Sequence, residues 1–76
     1  MFKRKRPLTN LQSLKKLGTN IRRLRNEKNI SQEKLAIEAG IERSYMGAIE
    51  RGERNPSYDK IVSIAKALKI PTSHLL

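Results

Sequence analysis

Seventy-six residues with no cysteine make one small domain, without disulfide staples or thiolate metal sites, and suit a reducing cytoplasm. A formal net charge of +10 calls for a polyanionic partner, either nucleic acid or an anionic membrane surface, and the low aromatic content leaves an aliphatic, helical core. The single histidine, His74, cannot hold a metal or drive a triad unaided. With no nucleophile–base pair, phosphate loop or metal constellation in the sequence, no enzyme activity, cofactor or metal is expected.

In chain order, residues 1–9 are expected to form a flexible arm. Lys3, Arg4, Lys5 and Arg6 stand before Pro7 with no apolar pattern to bury. Such a cluster reads either as a solvated tail or as a basic arm that reaches a phosphate backbone or a minor groove. No apolar h-region follows it, so it does not read as a secretory signal, and no run is long enough to span a bilayer.

From Leu11 to Lys28, Leu14, Leu17, Ile21 and Leu24 recur at spacings of three and four, which predicts an amphipathic helix whose polar face carries arginines. Gly18 and Thr19 weaken its middle. Asn29 is suited to ending it in a left-handed conformation. Ser31 then reads as the N-cap of a second helix, with Glu33 well placed against the helix dipole. Gln32 would occupy the first helical position, as a phosphate clamp together with Ser31 and the local N–H groups, or as a plain solvent-exposed helix former. Leu35, Ala36 and Ala39 share the inward face, and Ile37 is left outside. Gly40 can take the positive φ that ends the helix, and Ile41 pins the turn.

The third helix is expected over about Glu42–Arg51. Tyr45, Met46 and Ile49 fall inward or at the edge, leaving Arg43, Ser44, Gly47, Ala48 and Arg51 free. Two short helices about a glycine turn, the second with a small and polar outer face, describe a helix-turn-helix over 31–52. Its second helix would lie in a major groove. Arg43 can pair with guanine, Ser44 can donate or accept, and Tyr45 can offer its ring to a thymine methyl or its hydroxyl to a phosphate. Gly47 and Ala48 would let the helix approach the bases. Glu42 is a poor N-cap. Gly52 and Pro56 close the helix and form a loop that turns Arg51, Arg54 and Asn55 toward the backbone.

Ser57 should cap a fourth helix with Ile61, Ile64, Ala65 and Leu68 as its core face. Ile70-Pro71 breaks it and Thr72 caps a last short turn. Leu75 and Leu76 are hard to bury in so small a domain and read as a dimer contact. Basic charge is concentrated before residue 30, whereas residues 31–56 oppose four basic residues with five glutamates. Phosphate attraction and base discrimination are therefore expected from different parts of the chain.

The combination SQExLAxxAGI, YxxxIERGERNPS and IxxIAxAL resembles the lambda-repressor-like (Cro/repressor, XRE) helix-turn-helix family over about residues 14–76. The resemblance implies a compact five-helix all-α domain at 10–76 that binds operator DNA as a two-fold homodimer. It implies base-contact positions at Arg43, Ser44, Gly47 and Ala48, a phosphate role for Gln32, and backbone positions at Arg51, Arg54 and Asn55. It also implies that Arg25 and Glu50 form an internal ion bridge. The Arg-Ser-Tyr triplet is similar to that of the restriction–modification controller proteins within the family. Glu42 and Gly47-Ala48 depart from the usual small cap and Ser-Gly pair, which leaves the operator sequence open. A cytoplasmic, bacterial or phage-encoded regulator is expected, with double-stranded DNA and itself as partners. An antitoxin or a small phage-type repressor stands as the alternative. A cationic membrane-surface peptide would show one long basic helix rather than several broken by Gly and Pro.

Overall fold

A computed structural model describes residues 11–76, which hold four α-helices, α1 (Leu11–Glu27), α2 (Gln32–Ala39), α3 (Arg43–Glu50) and α4 (Tyr58–Leu68). One turn of 3₁₀ helix, Thr72–His74, follows α4. The all-α architecture is as expected, but the described residues give four α-helices and a single 3₁₀ turn rather than five helices. Pro71 interrupts the helical ladder after α4, and Thr72–His74 close a single 3₁₀ turn behind it. Pro71 rather than Thr72 occupies the position ahead of that turn. The basic arm expected over 1–9, with Lys3, Arg4, Lys5 and Arg6, lies outside the described residues.

Each helix begins and ends where its local chemistry dictates. The Ser31 hydroxyl accepts the Lys34 N–H at 3.0 Å and the Ser57 hydroxyl accepts the Lys60 N–H at 3.3 Å, so both serines cap as expected. Asn29 ends α1 at φ 57°, and Gly40 ends α2 at φ 69°. Lys69 takes the same left-handed conformation after α4 (φ 60°), a place where glycine is less strained.

The amphipathic stripes meet in one aliphatic core. Leu17, Ile21, Leu35, Met46, Ile49, Ile61, Ile64 and Leu68 are fully buried, each contributing about 1.5–3 kcal/mol relative to exposure. Leu75 joins them at 0% exposure, and Asn20 Nδ2 donates to its carbonyl at 3.2 Å. The expectation that both terminal leucines face a partner is therefore corrected: Leu75 closes the core, and only Leu76 stays outside. The 3₁₀ turn makes the difference, because it folds the chain end back onto α1 and α4.

The helices pack so that α2 rests on α3 and α4, and α1 crosses α3. Gly18 sits at that crossing. A Cβ there would come within 2.4 Å of the Glu50 carbonyl oxygen and 2.6 Å of that of Ile49. The residue that looked like a weakness in α1 is the one that permits its closest contact. No described helix is long and apolar enough to cross a membrane.

Candidate nucleic-acid interface

The α2–α3 turn is built from backbone hydrogen bonds. Gly40, in the left-handed region, donates its N–H to the carbonyls of Ala36 and Ile37, and Ile41 donates to Ala36 at 2.9 Å. Ile41 is buried against the core, which fixes the angle between the two helices. Glu42 precedes α3 without a side-chain cap, as its chemistry suggested. Arg43 and Ser44 open α3 exposed, and Tyr45 follows half-buried.

Behind this face lies a polar network centred on Glu50, whose side chain is wholly buried. Arg25 grips its carboxylate with two hydrogen bonds, Nε to Oε2 at 2.9 Å and Nη2 to Oε1 at 3.0 Å. A third Arg25 bond, from Nη1 to the Ile30 carbonyl at 3.0 Å, ties the α1–α2 connection to the same point. Such bidentate, charge-assisted bonds offset much of the cost of burying the carboxylate. The Arg25–Glu50 bridge expected from the family resemblance is present.

The network continues outward. Gln32 Nε2 donates to Glu50 Oε1 at 3.1 Å, and Gln32 Oε1 accepts from Arg43 Nη1 at 3.1 Å. The carboxylate fixes which end of the Gln32 amide faces inward, since only the NH₂ end can donate to it. The amide oxygen is thereby aimed at Arg43. A guanidinium at the tip of α3 is thus connected through two side chains to the α1–α3 crossing, and an exposed reader is held rather than left to wander. Arg22, whose Nε lies 3.7 Å from Glu50 Oε1, adds a further cation that the sequence reading had not singled out.

Gly47 and Ala48 are not where they were expected. Both are buried in the free chain, Ala48 at 9% exposure. A Cβ at residue 47 would meet Arg51 Nη1 at 3.1 Å and Gln32 Oε1 at 3.3 Å. The glycine therefore makes room for the Gln32 amide across α3, and only indirectly serves the surface. Helical spacing misread the exposure of Gly47 because the Gln32 and Arg51 side chains lie across that flank of α3.

The remaining expected positions surround this face. Ser31 is exposed with its hydroxyl oxygen engaged as the α2 cap, while Gln32 keeps one amide hydrogen free of partners among the described residues. Arg51 Nε pairs with Glu53 at 3.1 Å, both exposed, and Asn55 is exposed in the following loop. Arg54 turns toward Tyr45, its guanidinium carbon 5.6 Å from the ring centroid. Lys60 of α4 approaches the same ring at 5.7 Å. Gly52, at φ 76°, packs the loop onto α1, where a Cβ would lie 2.8 Å from Lys15 Cγ. Arg22 and Lys60 were not singled out by the sequence reading, whereas Gly18 and Gly52 were read only as a weak point in α1 and as a helix stop, not as places of close approach.

A glycine-turned helix pair with an exposed, pre-aimed arginine at the start of its second helix defines a class, the DNA-binding regulators of the helix-turn-helix type. The chain belongs to the helix-turn-helix family, whose model matches residues 21–75. Among its relatives are restriction–modification control proteins. It is 48% identical over 60 residues to control protein C.BamHI of Bacillus amyloliquefaciens, covering 78% of this chain and 74% of that one. It is 43% identical over 60 residues to control protein C.SmaI of Serratia marcescens, covering 79% and 71%. The crystal structure of the restriction–modification controller protein C.AhdI from Aeromonas hydrophila superposes with a TM-score of 0.84 at 45% identity, over 86% of this chain and 98% of that one.

Proposed function

We propose that this chain is a homodimeric transcriptional regulator that binds a two-fold operator in duplex DNA, and that it controls the genes of a restriction–modification system. The observation that carries the DNA-reading part is the Glu50–Gln32–Arg43 chain of hydrogen bonds, which holds an exposed guanidinium at the tip of α3. A fixed guanidinium loses less freedom when it pairs with guanine O6 and N7 than a wandering one does. Ser44 and Tyr45 complete the base-reading set. Ser31, Gln32, Arg51, Arg54 and Asn55 contact phosphates around it, and Lys3, Arg4, Lys5 and Arg6 add attraction from the arm. Gly47 and Ala48 support the reading face from beneath.

One reading helix spans only a few base pairs, so useful affinity needs a second copy. Two reading helices related by a two-fold axis match half-sites separated by one helical turn, about 34–36 Å, or a multiple of it. The controller assignment within the family is supported by the names of relatives that match most of both chains. Footprinting on the DNA upstream of the chain's own gene tests the whole reading. Two symmetric protected half-sites are expected, with an endonuclease gene nearby. Protection that shows no sequence preference would contradict it, and a neighbouring toxin gene would favour an antitoxin instead.

A further inference from the structure

Tyr45 is the one aromatic side chain on the reading face; half-buried, it packs against the hydrophobic core, and two further groups reach it from outside the helix-turn-helix. Two cations converge on its ring, Arg54 from the loop after α3 and Lys60 from the first turn of α4. Both lie within the ~6 Å range in which a cation is attracted to an aromatic face. Neither Arg54 nor Lys60 has a carboxylate partner among the described residues. The ring is therefore their attachment, and the Tyr45 hydroxyl makes no hydrogen bond among the described residues. The Lys60 backbone is itself fixed, because its N–H is the one that the Ser57 cap accepts. Tyr45 and Lys60 also line a shallow hollow of about 230 Å³ with Gly40, Ile41 and Glu42, the one acidic residue among the described residues that line it.

An unrestrained tyrosine at the third position of a recognition helix would sample several rotamers, and its hydroxyl would report no single base. Core packing narrows that freedom, and the two cations that meet the ring from the loop and α4 bias what is left before DNA arrives. We propose that Lys60, outside the helix-turn-helix, is a specificity-determining positioning residue: together with Arg54 it holds the Tyr45 ring so that the free hydroxyl is presented to DNA in one orientation. This rests on the DNA-reading function proposed above. It differs from a phosphate contact by Lys60, which would strengthen binding to every sequence alike and add about one unit to the salt dependence.

The test is a double-mutant cycle on duplexes chosen by selection from a random pool. Tyr45→Leu identifies the base position whose preference depends on the tyrosine. Lys60→Met, which keeps the stem and removes the charge, is expected to lose about two- to five-fold in discrimination at that same position, the equivalent of one cation–π contact. Lys60→Arg should retain the discrimination, and Lys60→Met in the Tyr45→Leu background should cost nothing more. In the free protein, NMR should show the Lys60 ε-methylene protons shifted upfield by the Tyr45 ring, a readout that needs no DNA. Equal losses on all sequences, additive losses in the cycle, or unshifted ε-methylene protons would overturn the proposal. A wild-type chain with no base preference but with the upfield shift intact would overturn the DNA-reading function and this proposal with it.

Discussion

Replacing Gly18 by alanine sets two effects of opposite sign against each other. Alanine is the better helix former by about 1 kcal/mol, so an isolated α1 would gain from the change. In the folded chain the added Cβ would stand 2.4 Å from the Glu50 carbonyl oxygen, 2.6 Å from that of Ile49 and 2.7 Å from the Glu50 carbonyl carbon. All three are backbone atoms, so no side chain can swing aside, and α1 must move away from α3 by about 1 Å to restore ordinary contact. Overpacking of this kind costs about 3 kcal/mol at the upper end of its usual range. The net loss is then about 2 kcal/mol, which for a domain of this size lowers the midpoint of thermal unfolding by about 8–16 °C. Thermal and urea unfolding followed by circular dichroism would measure it. Gly40→Ala is the control, since its Cβ would meet nothing within 4 Å and only the left-handed φ of 69° opposes it. An unchanged or higher midpoint for Gly18→Ala would refute the close crossing. Since the crossing also positions Glu50, weaker DNA binding should accompany the lower midpoint.

Glu50→Ala should be among the most damaging single changes, by about 3–5 kcal/mol, because it leaves the largely buried Arg25 guanidinium without its partner; urea unfolding within 1 kcal/mol of wild type would contradict the buried network. Leu75→Ala should cost about 2–5 kcal/mol by opening a cavity under the 3₁₀ turn. Leu76→Ala, on an exposed residue, should leave the unfolding midpoint of the free chain nearly unchanged, and equal losses for the two would place both leucines in the same environment.

Much of the fold was legible because local signals agreed with one another. Ser31 and Ser57 are capping residues ahead of apolar periodicity, Asn29 and Gly40 are natural left-handed stops, and Ile61, Ile64, Ala65 and Leu68 form an unbroken stripe. The misreadings share one physical origin, which is that close approach between elements leaves little mark on periodicity. Gly18 looked like a weak helix position until α3 was seen against it. Gly47 looked open because nothing in α3 itself shows that Gln32 and Arg51 lie across that flank. Leu75 looked unburied because the closing 3₁₀ turn depends on contacts with α1 more than fifty residues away. The candidate interface was read in a similar way. Arg43 and Ser44 could be placed from helix register alone, but the route that aims Arg43 from Glu50 through Gln32 is a tertiary fact. The inward turn of Arg54 and Lys60 toward Tyr45 is another.

The central claim is that Arg43, held by Gln32, chooses a base while the surrounding cations supply affinity. The most direct measurement compares Arg43→Ala with Arg54→Ala on a selected operator and on a scrambled duplex at fixed salt. Arg43→Ala should lose about 1–3 kcal/mol on the operator and little on the scrambled duplex, with preference relaxed at one base pair of each half-site. Arg54→Ala should weaken both duplexes through its lost positive charge, to which its hold on Tyr45 adds a smaller loss on the operator alone. Equal losses on the two duplexes for Arg43→Ala would contradict the account.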